Sequence, residues 1–445
     1  MPVILLMNHL RKIYSACSPR FFRNFLSQAY HCEEQWNERL SSALLSQVNF
    51  DELNNELLKA FSASAKVTPV DFDIYVNKMT DENHLIDFEE IINRFRRSPS
   101  TAFVLPSSQH AVIRALVKLN KSDLLMKMLN DRLNYGIFLD SYTSCLLMDM
   151  FLKGNNYQDA AKCAIQLMLQ EDFGSDLSKS LAMYSCFLYL FNPSTEPWNP
   201  FPKPVIEEPE EEVKVRVDYI REPYFDDHFD LENPQHLIGK TFAYANLDGS
   251  GSYELSLQLL GWTLYEKFNN LKEVLKVILD TKTPIYDEIF EKVFEMVSSS
   301  NSENKDNILD CLSKVKHSGK LLENSIEQKM KEDIENAVKN FEKKYIDTQT
   351  KLYKEWQSER ETLVKEQVKS LEKLKKLKEI EEKKKQLQEK ENHLFFFEKE
   401  EKWLLQAEKN EQLLKELMDK IPKYEKKQME KKDDSYLPPE MPTNR

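Results

Sequence analysis

The stretch YGIFLDSYTSCLLMDMFLKGNNYQDAAKCAIQLMLQ, residues 135–170, carries two apolar stripes of helical period on either side of the turn Lys153-Gly154-Asn155-Asn156. Apolar positions recurring at i, i+3 and i+4 mark one buried face of a helix, so the stretch predicts a helical hairpin. One hairpin cannot bury both stripes, and the rest of the chain must supply neighbours. Residues 106–140 repeat the plan: Ala111, Ile113, Leu116, Val117 and Leu119 line a first helix, Lys121-Ser122-Asp123 turns, and Leu124, Leu125, Met128, Leu129 and Leu133 line a second. Before them, residues 72–79 and 85–95 flank the turn Thr80-Asp81-Glu82-Asn83 and end in RFRRSPS. After them, residues 177–191 give a further first helix, with the Pro-rich break NPSTEPWNPFPKP where its partner is due. A period of about 35 residues with two helices in each is the pattern of an α-solenoid, in which neighbouring hairpins complete one another's core. The predicted fold class is all-α.

Composition agrees: 31% charged residues and only 8 Gly in 445 describe a helical, loop-poor chain. No apolar run reaches the roughly 18 residues of a membrane span; the best, residues 181–191, is too short. The six cysteines, Cys17, Cys32, Cys145, Cys163, Cys186 and Cys311, show no CxxC spacing and read as reduced, structural thiols. A formal net charge of -12 argues against a simple polyanion binder, but the acid is concentrated. Residues 203–232 hold eleven acids against four bases. The first thirty residues instead carry Arg11, Lys12, Arg20 and Arg23 and no acid before Glu33, the profile of a mitochondrial transit segment.

Helical patterning resumes over 252–279 and 284–297. From about residue 320 the chain turns into a nearly Gly- and Pro-free charged run, 29 Lys or Arg against 26 Asp or Glu to Lys432. Leu371, Leu374, Leu377 and Ile380 recur every three residues while Leu387 and Leu394 are a heptad apart, so a coiled-coil seam would be imperfect. A long helix docked on a large partner fits better than a free coiled coil. The predicted divisions are a transit segment (1–31), the solenoid (32–191), an acidic Pro-rich insert (192–252), a second helical segment (253–318), a long charged helix or partial coiled coil (319–432) and a tail (433–445).

The end of each unit, YGIFLD, resembles the GIxPD that closes a pentatricopeptide repeat, and SYTSCLLMDMFLKGNNYQDAAK is similar to that family's TYNxLIDxxxKxGxxxxA at Thr143, Leu147, Met148, Asp149, Lys153 and Ala160. Leu139 replaces the family's Pro, Ser144 its Tyr, and Gly154 falls one place early. With RFRRSPS upstream, an acid-free leader and a charged helical tail, the chain resembles the pentatricopeptide-repeat protein family of the mitochondrial small ribosomal subunit. That resemblance implies degenerate helix-turn-helix repeats and a structural, non-catalytic ribosomal component in the mitochondrial matrix. Its implied partners are small-subunit mitochondrial rRNA and other small-subunit proteins, with no cofactor and no small-molecule substrate. In the same register the base-selecting positions of such an array fall on His110 and Cys145, and a thiol is a poor base reader. The expected RNA contacts are therefore to phosphate, from Arg94, Arg96, Arg97, Arg114, Lys118, Lys121, Lys127, Arg132 and Lys153. The rival reading is a helical-repeat adaptor between proteins that touches no RNA.

No catalytic, cofactor-binding or metal-ligating residue is predicted. Asp226, Asp227, His228, Asp230, Glu232 and His236 are the densest set of carboxylates and imidazoles, but they sit in the acidic insert, which reads as a docking segment with aromatic anchors. In HLIGKT, the first glycine of a phosphate-binding loop would fall on Pro234; in NLDGSGSYE, the first and twelfth positions of a calcium loop would be Tyr244 and Leu255.

Overall fold

The computed structural model describes residues 25–63, 65–192, 198, 226–247, 249–299, 305–317 and 321–420. The chain forms two compact units, Met1–Leu363 and Val364–Arg445.

The first unit is a helical-repeat solenoid. It begins with two short helices, α1 (Glu33–Glu38) and α2 (Ala43–Gln47), and the longer α3 (Phe50–Ser62). Three hairpins follow: α4 (Pro69–Lys78) with α5 (Leu85–Arg96), α6 (Pro106–Lys118) with α7 (Ser122–Asn130) and the one-turn α8 (Arg132–Tyr135), and α9 (Ser141–Lys153) with α10 (Tyr157–Leu169). Local chemistry sets their ends. Pro69 and Pro106 occupy first-turn positions, where a missing N–H costs nothing. Asp140 and Thr143 close a capping box at α9. Asn120 and Asn155, each just past a first helix, hold φ of 51° and 55°, the left-handed turn that asparagine tolerates.

The next helix, α11 (Asp176–Phe191), finds its partner across the Pro-rich break. Residues 234–245 form α12 (Pro234–Ala245), packed on α10 and on α13 (Ser252–Leu264). The insert expected over 192–252 is therefore corrected at its C-terminal end, where Leu237, Ile238, Phe242 and Ala243 are core residues. The reason is a backbone crossing at two glycines. A Cβ on Gly239 would stand 2.7 Å from the Gly261 carbonyl oxygen and 2.7 Å from the Tyr265 nitrogen. Helices that approach so closely need Gly at the crossing. Most of the acidic run lies outside the described residues, although Trp198 is buried edge-on against Tyr189. The unit continues with α14 (Phe268–Thr281), α15 (Asp287–Ser299) and α16 (Lys305–His317). A two-residue parallel bridge pairs Ile285–Tyr286 with Leu321–Leu322.

The N-terminal boundary also shifts. Leu26 and Tyr30 are buried, Tyr30 stacks on Tyr142 at 4.8 Å, and the Phe25 N–H donates to the Asp149 carboxylate at 3.2 Å. Residues 25–31 thus belong to the solenoid; the rest of the expected transit segment lies outside the described residues.

Helix α17 (Ile326–Leu394) begins in this unit. Its residues Ile326, Met330, Ile334, Ala337, Gln349, Tyr353 and Arg360 are buried; Ile326 to Ala337, at spacings of four and three, share one face, and Gln349, Tyr353 and Arg360, at four and seven, share another turned part-way around the helix. The second unit comprises the remainder of α17 and α18 (Phe396–Lys420). The Phe395 N–H donates to the Glu391 carbonyl and the Lys399 N–H to that of Phe395, so hydrogen bonds run on between the two helices. Val368, Leu371, Leu374, Leu377, Ile380, Leu387 and Leu394 are all exposed there. The three-residue spacing from Val368 to Ile380 turns the apolar stripe around the helix, and no second helix covers it among the described residues.

Candidate nucleic-acid interface

A base-reading helical array presents its first helices to RNA, one base per repeat. In the first unit that face, made by α4, α6, α9, α11 and α13, is covered by residues 326–363 of the same chain. Running N to C, α17 passes the first helices in reverse order. Asp333, Asn336 and Phe341 line a cavity of about 300 Å³ together with Lys179 of α11 and Tyr253 and Glu254 of α13. The Tyr345 hydroxyl donates to Ser175 Oγ, the cap of α11, at 2.7 Å, and its ring meets that of Tyr30. Tyr353 and Trp356 bracket His110 of α6, with ring centroids at 5.4 and 5.3 Å. Arg360 reaches α4, where its Nε donates to Asp73 Oδ2 at 2.6 Å.

Both expected base-selecting residues are therefore sealed. His110 is buried, its Nε2 3.0 Å from the Tyr353 hydroxyl, and burial together with Arg114 and Arg39 holds its pKa well below the usual imidazole value. Cys145 is fully buried, and burial pushes its thiol up to about 12. The signal in the sequence was the aromatic run Phe341, Tyr345, Tyr353 and Trp356, placed on one helical face and followed by no aromatic residue until Phe395.

The nine basic residues do not converge on one face. Arg94, Arg96 and Arg97 end α5, Lys127 and Arg132 belong to α7 and α8, and Lys121 lies in the turn before α7, all on the layer of second helices. Arg94 pairs with Glu90 at 2.5 Å, Lys121 with Glu82 at 3.3 Å, Lys127 with Glu89 at 2.6 Å and Lys153 with Asp149 at 2.6 Å. Arg96 Nε donates to the Leu133 carbonyl at 3.4 Å and Arg97 to Asn134 Oδ1 at 3.1 Å. Arg132 is half-buried over the Phe229 ring. Lys118 is exposed and makes no ion pair among the described residues. Arg114 is 7% exposed and faces the interior, which removes it from any basic surface of the solenoid.

The described end of the acidic segment, from Asp226 on, packs on the solenoid, and among the described residues no group of three or more His, Cys, Asp or Glu could hold a metal ion. Asp227 pairs with Lys267 at 2.7 Å, His228 Nε2 lies 3.1 Å from the Leu169 carbonyl, and His236 lies 3.8 Å from Glu266. Lys240 of GKT donates to the Asp227 carbonyl at 2.5 Å from within α12. Cys32, Cys145, Cys163 and Cys186 are free and buried and Cys311 is free and partly exposed; Cys17 lies outside the described residues. No helix is long and apolar enough to cross a membrane among the described residues.

The chain is matched over residues 3–386 by the family model for mitochondrial 28S ribosomal protein S27, and it belongs to that family of mitochondrial small-ribosomal-subunit proteins.

Proposed function

We propose that the chain is a non-catalytic scaffold of the small subunit that contacts rRNA through phosphate groups and reads no base. The observation that carries this is the placement of residues 326–363 over the first helices, with His110 and Cys145 buried beneath. Contact is then left to the basic groups of the second-helix layer and Lys118. Their carboxylate pairs do not preclude it, because an exposed ion pair is worth only about 0–1 kcal/mol and can be exchanged for phosphate. The covering segment and the charged C-terminal unit would serve neighbouring proteins.

A second reading, the adaptor that touches no RNA, is favoured by the carboxylates already facing Arg94, Lys121, Lys127 and Lys153. Filter binding of the full chain to small-subunit rRNA at several salt concentrations separates the two. On the phosphate reading, Arg94→Glu, Arg97→Glu and Lys118→Glu together weaken binding and flatten its salt dependence by about one counterion per lost contact, whereas Cys145→Ala changes neither. Absence of binding by the wild-type chain selects the adaptor; loss on Cys145→Ala restores base reading.

A further inference from the structure

Arg114 is buried without a counter-charge. On α6, one turn beyond His110, it is 7% exposed and forms no hydrogen bond or ion pair with any described residue; its Cζ lies 5.7 Å from the centroid of the Trp36 ring. Two more guanidiniums share its surroundings. Arg39 stands over the same ring at 3.7 Å; one of its terminal nitrogens donates to the Trp36 carbonyl at 2.7 Å, and its Nε is buried with no acceptor. Arg360 arrives from α17, and its Nε is taken by Asp73. Burial, with Arg114 and Arg360 adding to it, draws Arg39 down to about 9.

The carboxylates cannot balance this charge. Asp73 and Asp149 are the two buried ones among the described residues. Asp73 also accepts from Ser107, Ser108 and Asn77 and neutralises one arginine. Asp149 is held by Lys153 and by the N–H groups of Phe25 and Leu26. Arg114 and Arg39 remain without a counter-charge and the Arg39 Nε without an acceptor, and a buried charge is retained only where something offsets it.

We propose that Arg39, Arg114 and Arg360 form a binding site for a dianionic phosphate, either orthophosphate or the terminal phosphate of a nucleotide. Such a group carries about -1.5 to -2 at pH 7, which matches the two uncompensated charges, while a carboxylate would leave one. The planar fork of arginine suits phosphate oxygens. Arg114 meets solvent over so little area that an internal RNA phosphate, flanked by sugars on both sides, does not fit. The site is therefore independent of rRNA contact by the outer layer.

The test is thermal melting of the full chain at constant ionic strength, titrated with orthophosphate, with adenosine monophosphate or with chloride alone. Orthophosphate raises the midpoint and saturates; chloride does not. A monophosphate response at lower concentration assigns the nucleotide, and a response to orthophosphate alone assigns the free ion. Arg114→Met weakens the apparent affinity by about ten-fold or more. In phosphate-free buffer it melts at or above wild type, since it removes an unpaired buried charge. Lys59→Met, exposed on α3, keeps the full response. Should Arg114→Met fail to fold, Arg39→Met shows the same loss. A wild-type chain with no saturating phosphate response, or variants that keep one, overturns the proposal.

Discussion

Arg360 and Asp73, 287 positions apart in sequence, form an ion pair of 2.6 Å at 4% and 0% side-chain exposure. A buried pair gains little over an apolar replacement because both ions lose their hydration, but removing one partner strands the other. The pair fixes the register of α17 on the first helices more than it adds net stability. Arg360→Ala is expected to cost about 3–5 kcal/mol in urea denaturation of the full chain. The double variant Asp73→Asn with Arg360→Met should recover most of that loss, and an equally unstable double variant would show that the pair itself is strongly stabilising.

His110 gives a pH dependence. Burial, with Arg114 and Arg39, holds its folded pKa well below the reference 6.5, so it is neutral in the native state while the unfolded chain gains a proton as pH falls through about 6.5. Its contribution is thus fully present above that pH and is lost as pH falls toward the folded pKa, by at most about 1.4 kcal/mol per pH unit for one proton. His31 shifts in the same direction through burial and Lys153. Melts between pH 7 and 5 should show a shallower slope for His110→Asn, with the His31 part remaining. An unchanged slope would place a proton on the buried ring.

Gly239 bears on the second half of the solenoid. Gly239→Ala drives a methyl to 2.7 Å from the Gly261 oxygen and the Tyr265 nitrogen, backbone atoms that move only with their helix. The expected loss is about 1–3 kcal/mol or more, read as a lower thermal midpoint. Gly154→Ala, whose Cβ would meet backbone oxygens no closer than 3.6 Å, serves as the mild comparison.

Residues 25–31 are part of the core, whereas the basic, acid-free stretch before them carries the expectation of import. Deleting residues 2–24 should keep a tagged chain out of mitochondria. Deleting 2–31 should give a lower melting point than deleting 2–24, because it strips Leu26 and Tyr30 from the core and the Phe25 and Leu26 N–H groups from Asp149. Normal mitochondrial uptake of the shorter deletion would remove the case for a basic targeting segment.

The sequence by itself determined what is local. The hairpins at 72–95, 106–135 and 135–170 were legible because a stripe at i, i+3 and i+4 lies within one helix and a turn follows from two or three residues. The charged C-terminal helix was legible for the same reason. An apolar stripe reports that a face is covered, however, and not what covers it. Only the tertiary structure decided that residues 326–363 lie over the first helices, that α12 completes the α11 hairpin from beyond the acidic run, and that Arg114 faces Trp36 rather than solvent. Each of these depends on groups far apart in the chain, such as Gly239 against Gly261 or Asp73 against Arg360, whose energies exist only once both are brought together. A basic residue on a helix has the same local signature whether it meets phosphate, a carboxylate or an indole ring, so the sequence could name the nine candidate cations and the fold alone could sort them.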